Sequence, residues 1–190
     1  MLGIVYELSL VKLLRLIHSL NPAAGGPVQG IHQLSPLLLE RGVSTVVVSL
    51  DQADAPWLSD SVDAGFQSLG LGPGIGTYGY RRGLIPALRP LLANADAVVI
   101  HGLWQYHALA GWQALRHLGP ESPPYWVYPH GMLDPWFRQA YPLKHVKKCL
   151  YWRWADYRVL RDADAVCFTT EQERLLARQS FHPNQARERV

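Results

Sequence analysis

Continuous apolar runs alternate along this chain with stretches whose apolar positions recur every three or four residues, as strands and helices taking turns would read. Leu13–His18 reads as a first buried strand, followed by a loop over Ser19–Gly26. Pro27 suits the first turn of a helix, where its missing N–H would be unpaired anyway. Val28, Ile31, Leu34 and Leu38 continue at helical spacing to a stop at Gly42, while Pro36 predicts a kink or an early end. Thr45–Leu50 is a second strand, β-branched and continuous, as strands buried on both faces are. Asp51–Arg82 is loop-rich, with one short strand near Phe66–Leu69. A helix through Leu84, Leu88 and Leu92, weakened by Pro90, leads to a strand over Ala97–Ile100, a helix over Leu103–His117 and a strand over Tyr125–Tyr128. Leu143, Val146, Leu150, Trp154 and Tyr157 form an apolar stripe on one long helix. Ala165–Phe168 is a final strand, and Thr170 begins the last helix.

The segments Ala95-Asp96-Ala97-Val98-Val99-Ile100 and Ala163-Asp164-Ala165-Val166-Cys167-Phe168 share one form: a helix exit, an Asp, then a buried strand. This alternation predicts an α/β fold with a Rossmann-like, doubly wound parallel sheet. Residues 1–12 read as a leader, 13–181 as the domain and 182–190 as a charged tail.

At 190 residues, 48% hydrophobic and 17% charged, the chain suits a globular domain with a real core. Its net charge of +3 is too small to argue for nucleic acid, and no nucleic-acid-reading motif occurs. Cys149 and Cys167 stand apart from any Cys/His cluster, which reads as reduced thiols in a cytoplasmic protein without a metal site. Met1–Leu20 is apolar, but Glu7, Lys12, Arg15 and His18 interrupt it and no small-residue cleavage site follows, so a signal peptide is not expected.

Chemistry concentrates at the strand ends. His18, His101 and His130 all fall at predicted carboxyl ends, where ligands sit in an open parallel sheet. His101-Gly102 and His130-Gly131 pair a titratable ring with a residue that admits another molecule to the backbone, and the second pair runs on into Met132-Leu133-Asp134-Pro135-Trp136. The loop Asn21–Pro27, with Gly25 and Gly26 before a helix N-terminus, reads either as a diphosphate seat or as an ordinary turn. Gly74-Ile75-Gly76-Thr77-Tyr78-Gly79 matches GxGxxG but lacks the flanking strand and helix, so it reads as a surface loop. Asp162-Ala163-Asp164 sits at the wrong sheet edge for metal chemistry and reads as structural. Thr170 and Glu173 fit a capping box, with room for a ligand contact at Glu173. No GxSxG elbow occurs, which disfavours a serine hydrolase.

The Gly25-Gly26-Pro27 loop, Ala95–Trp104, Pro129–Trp136 (PHGMLDPW) and Asp162–Glu173 together resemble the N-terminal half of a family 4 glycosyltransferase, over roughly 13–181. The resemblance implies one lobe of a GT-B architecture that binds a glycan or lipid-linked acceptor. A second lobe would hold most of the nucleotide-sugar donor, a co-substrate rather than a cofactor. It implies transfer with retention and no essential metal, a donor phosphate oxygen taking the acceptor's proton. By the same resemblance His130 lies beside the reacting sugar, Gly25 and Gly26 approach the donor diphosphate, and His101, Gly131, Asp134 and Glu173 line the acceptor and sugar side. No second Rossmann pattern and no Arg/Lys pair for the phosphates can be found, so the chain is expected to be an incomplete enzyme, inactive alone or paired with a separate donor-lobe chain. A non-catalytic acceptor- or partner-binding module is the alternative, and an unrelated nucleotide-binding domain a third.

Tyr141–Arg161 carries Lys144, Lys147, Lys148, Arg153, Arg158 and Arg161 among Trp152, Trp154 and Tyr157. Such a helix either rests peripherally on an anionic membrane at the inner face or packs its apolar side into the core with a solvated basic back; the second is the favoured expectation.

Overall fold

The computed structural model describes residues 10–61, 63–140, 142–181 and 187–190. Its β-branched and leucine-rich runs form the strands β1 (Val11–Leu16), β2 (Val43–Ser49), β3 (Gln67–Gly70), β4 (Ala97–His101), β5 (Tyr125–Tyr128), β6 (Ala165–Cys167) and β7 (Glu188–Arg189). They pair in one parallel sheet of order β3-β2-β1-β4-β5-β6-β7, the doubly wound arrangement that the alternating pattern predicts. Leu14, Leu16, Val98 and Ile100 face one core, packed under the helices α3 (Leu84–Ala93) and α4 (Tyr106–Leu118). Ile17 and Val47 face the other, under Val28 and Ile31 of α1 (Gly26–Glu40) and beside Leu58 of α2 (Pro56–Ser59).

The repeated Ala-Asp-Ala segments have a common mechanical role. Asp96 accepts the backbone N–H of Lys12 at 2.8 Å, and Asp164 accepts that of Tyr125 at 2.9 Å. Each carboxylate therefore ties the loop before one strand to the start of its neighbour, which sets the register there. Asp162 accepts the indole N–H of Trp112 at 2.9 Å, so the Asp-x-Asp pair is structural.

Several boundaries differ from the pattern. β1 begins at Val11, two residues inside the stretch read as a leader, because Val11 and Lys12 already pair with Val43 and Ser44. α1 runs through Pro36 to Glu40 instead of ending early: the proline removes one helical donor, while Val28, Ile31 and Ser35 stay buried along the same face. The end of the expected tail supplies β7, whose Glu188 accepts from Arg174 at 3.1 Å and from Arg178 at 2.8 Å.

The largest departure follows β5. After a short α5 (Trp136–Ala140), the single long helix expected from Leu143 to Tyr157 is two, α6 (Pro142–Trp154) and α7 (Asp156–Asp162). At Ala155 the backbone leaves the helical region (φ −118°, ψ −92°), which lets Trp152 and then Val159 and Leu160 all reach the core. The stripe of Leu143, Val146, Leu150 and Trp154 faces solvent, so the core-packed expectation for that face is overturned. Finally, α8 (Glu171–Ala177) follows β6 with Thr170 as its N-cap.

Candidate functional site

The sheet order reverses direction between β1 and β4, and an open parallel sheet presents its crevice at the carboxyl ends on either side of such a point. His18 lies just past β1, His101 closes β4 and His130 lies just past β5, so the three imidazoles share that edge as expected. They are linked through groups the sequence pattern did not single out. His18 and His107 have ring centroids 5.9 Å apart, and His107 Nε2 donates to the His101 carbonyl at 2.8 Å. His101, Tyr128 and His130 form a three-ring cluster with nearly parallel planes, their centroids 5.2 to 5.9 Å apart.

Hydrogen-bond directions around His101 are determined by Arg15, a buried cation on β1. Arg15 Nη1 lies 3.4 Å from His101 Nε2, and His101 Nδ1 lies 2.9 Å from His130 Nε2. A guanidinium only donates, so His101 Nε2 accepts and the His101 proton sits on Nδ1. That N–H is donated to His130 Nε2, which leaves the His130 proton on Nδ1 as a donor for a ligand. Electrostatics keeps both rings neutral. Burial holds His101 well below its ordinary value, reinforced by Arg15, and burial lowers His130 against the opposing pull of Glu173. His107 is brought down to about 4, chiefly by burial.

The turn carrying His130 is itself held in place. His130 and Gly131 both take left-handed backbone (φ 52° and 75°), which is uncommon for histidine and is retained only where the surroundings impose it. Glu173 supplies that constraint. Its Oε1 accepts the Gly131 N–H at 2.7 Å, and its Oε2 accepts the Thr169 N–H at 2.8 Å and the Thr169 hydroxyl at 2.7 Å. Thr170 Oγ1 accepts the Glu173 N–H at 3.1 Å, the first half of the expected capping box. The second half differs, because the carboxylate reaches Thr169 and crosses to the β5 loop instead of closing on Thr170. Asp134 Oδ1 accepts the Trp136 N–H at 2.8 Å and so starts α5.

Between these groups lies a cavity of about 430 Å³, lined by His130, Gly131, Asp134, Thr170, Glu173 and Leu176 among others. His101 stands behind it as the support of His130. Gly25 and Gly26 occupy the same sheet edge but are not among its lining residues. Gly25 takes φ 83° and ψ −142°, close to a conformation open only to glycine, and no atom lies within 4 Å of a Cβ built on either glycine. That bend is anchored by Asp51, which accepts the Leu20 N–H at 2.7 Å and hydroxyls of Ser19 and Ser49 at 2.6 and 2.8 Å. The GxGxxG segment is a turn closed by an Ile75–Tyr80 bridge, and its Gly79 packs against His18 and Leu50 just beyond β1 and β2. No strand runs into it and the next helix begins only at Leu84, so it is not built as a phosphate loop. A larger cavity, about 700 Å³, opens near Leu13, Thr45, Phe66 and Leu91 beside the starts of β1 and β2, and its lining is mostly apolar. Among the described residues no group of three His, Cys, Asp or Glu side chains is placed to hold a metal ion.

Arg15 could have been found from the sequence, since it is a lone cation inside the otherwise apolar run Leu13–Ile17. Asp156 left no such signal. It is buried on α7, accepts the backbone N–H of Trp104 at 2.8 Å and is raised to about 7 by burial, with Lys148 opposing. Trp104 has φ 66°, so this carboxyl holds a second left-handed non-glycine residue just beyond the His101-Gly102 turn.

A seven-stranded, doubly wound parallel sheet flanked by helices defines the chain as a Rossmann-like α/β lobe of the GT-B type. The sequence profile of the glycosyl transferase 4-like domain matches residues 25–190, and the chain belongs to that family. Among solved structures it is similar to a glycosyltransferase from Rickettsia africae, with a TM-score of 0.56 at 11% identity over 95% of this chain and 42% of that one. It is also similar to a protein from Listeria monocytogenes described as a UDP-N-acetylglucosamine 2-epimerase, with a TM-score of 0.53 at 15% identity over 90% of this chain and 42% of that one. The chain thus spans less than half the length of either structure. No curated protein matches it in sequence.

Proposed function

We propose that this chain is the acceptor-side lobe of a retaining glycosyltransferase, which moves a sugar from a nucleotide-sugar to a glycan or lipid-linked acceptor. The observation that carries the reading is the relay from Arg15 through His101 to His130, which delivers one neutral N–H donor to a cavity at the carboxyl edge of the sheet. In this reading His130 Nδ1–H binds a hydroxyl of the reacting sugar and fixes its orientation. Glu173, by holding Gly131 and Thr169, positions the turn without touching the reacting bond. A donor phosphate oxygen takes the acceptor's proton, in keeping with a cavity whose histidine is arranged to donate.

The bend at Gly25 and Gly26 gives the donor diphosphate an unobstructed approach to backbone N–H groups at the start of α1. Neither the described residues lining the cavity nor the bend Asn21–Pro27 includes a lysine or arginine, so the charge that a leaving diphosphate develops has to be met by another lobe. The chain alone is accordingly expected not to turn over. The test is reconstitution with a donor lobe and a panel of nucleotide-sugars, followed by His130→Ala. Turnover should fall by about 100-fold, the scale of losing one preorganised donor, with a smaller change in acceptor affinity. Unaltered turnover would remove His130 from the site. Saturable glycan binding by the chain with no turnover in any reconstitution would favour the binding-module alternative.

A further inference from the structure

Helix α6 carries apolar side chains on two faces, and the protein core uses only one. Trp152 is buried against Trp104 and Phe181, at centroid distances of 5.9 and 5.0 Å. On the opposite side Leu143, Val146, Leu150 and Trp154 are 84%, 58%, 69% and 51% exposed. Positions three and four residues apart share a helix face, so these four form one continuous outward stripe. Trp136, on the preceding α5, is 61% exposed.

The charge around this stripe has one sign. Between residues 135 and 155 the chain contains Arg138, Lys144, Lys147, Lys148 and Arg153, and no Asp or Glu. At about 100° per residue, Lys147 falls on one flank of the stripe and Arg153 on the other, and both are exposed. Lys148 turns inward instead, with its ammonium 4.5 Å from the centre of the Trp104 ring. An exposed apolar stripe edged by cations and bearing tryptophan is the composition of a helix that lies in a lipid interface. A second copy of the chain is a poor occupant, since a two-fold interface would set cations against cations. Among the described residues no helix is long and apolar enough to cross a membrane.

We propose that the exposed face of α5 and α6 docks on an anionic lipid bilayer. The α6 stripe enters the acyl boundary, and Lys147 and Arg153 meet headgroup phosphates. The inference is independent of sugar transfer. If both hold, docking brings the His130 cavity close to the lipid surface, because Asp134 of its lining stands just before α5 and accepts the N–H of its first residue, Trp136.

The test uses the whole 190-residue chain and sedimentation with vesicles of phosphatidylcholine, with and without phosphatidylglycerol. Binding should require phosphatidylglycerol and weaken with added salt. Leu143→Glu and Leu150→Glu, at positions too exposed to disturb the core, should each cut binding by about tenfold with an unchanged Tm. Lys147→Glu and Arg153→Glu should each cut it by about fivefold or more. Absence of binding, or binding indifferent to Leu143→Glu and Leu150→Glu, would overturn the proposal. So would a dimer in sedimentation velocity that Leu150→Glu converts to monomer, since a second copy would then cover the stripe.

Discussion

At the scale of single residues, the site depends on protons being in particular places. Arg15 donates to His101, and His101 donates to His130, so a substitution two strands away reaches the cavity. Arg15→Gln keeps a donor but removes the buried charge, whereas Arg15→Leu removes the donor and frees the His101 tautomer. Glu173 gives an independent check on His130, because its charge raises the His130 pKa against burial. In Glu173→Gln the His130 pKa should fall further below its ordinary value, as read by NMR titration of the ring protons; a rise would refute the electrostatic link. The two glycines separate backbone strain from ligand access. Gly25→Ala forces a side chain into φ 83° and should lower stability by about 1–3 kcal/mol in urea unfolding. Gly26 begins α1 with open space around it, so Gly26→Ala should fold normally yet weaken binding of the nucleotide-sugar in the reconstituted enzyme. Gly25 and Gly26 were legible as a candidate pair from their place before a helix, but the difference between them was not, because backbone angles are set by the anchoring at Asp51.

At the scale of elements, strands were easier to read than helices. Every sheet strand from β1 to β6 falls within a few residues of its predicted place. For the central strands β2, β4 and β5 the reason is that a parallel strand buried on both faces is a nearly unbroken apolar run, while β3 is a mostly polar strand at the sheet edge. β7 escaped notice because two polar residues, Glu188 and Arg189, carry it by backbone pairing and by the contacts of Glu188 to α8. The prolines misled in the other direction: α1 and α3 continue through Pro36 and Pro90, held by burial of the faces on either side. The carboxylate ties before β4 and β6 give an element-level prediction. Asp164→Ala should cost about 1–2 kcal/mol in chemical denaturation by leaving the Tyr125 N–H without its partner. Asp96→Ala should cost less, since the Lys12 N–H it frees is exposed to water.

For the whole molecule, buried titratable groups set opposing pH dependences. His101, His107 and His130 all have folded-state pKa values below the ordinary 6.5. As pH falls below about 6.5 the unfolded chain takes up protons that the folded rings refuse, so stability is lost on acidification, for His107 down to about 4. Asp156 acts the other way. Its carboxyl is raised from 3.8 to about 7, so the folded state holds a proton across that window and stability rises as pH falls through it. Asp156→Asn should therefore steepen the acid loss and raise stability at alkaline pH relative to the parent, as measured by urea midpoints across the pH range. A shallower acid limb would contradict that assignment. Trp152→Ala, which empties the contact between α6 and the core, should cost about 3–5 kcal/mol.

Read without coordinates, the sequence was enough for the class of fold, the sheet edge that carries His18, His101 and His130, and the residues that carry the family resemblance. Each of those follows from local pattern: apolar runs, strand ends and short motifs. Contact between His101 and His130, the cation behind them and the reach of Glu173 to Gly131 were decided only by the tertiary structure, because each joins segments that the chain places far apart. The same holds for the outward face of α6. A helix that is apolar on two sides has two equally good periodic readings, and only the packing of Trp152 against Trp104 and Phe181 determines which side is left for water or lipid.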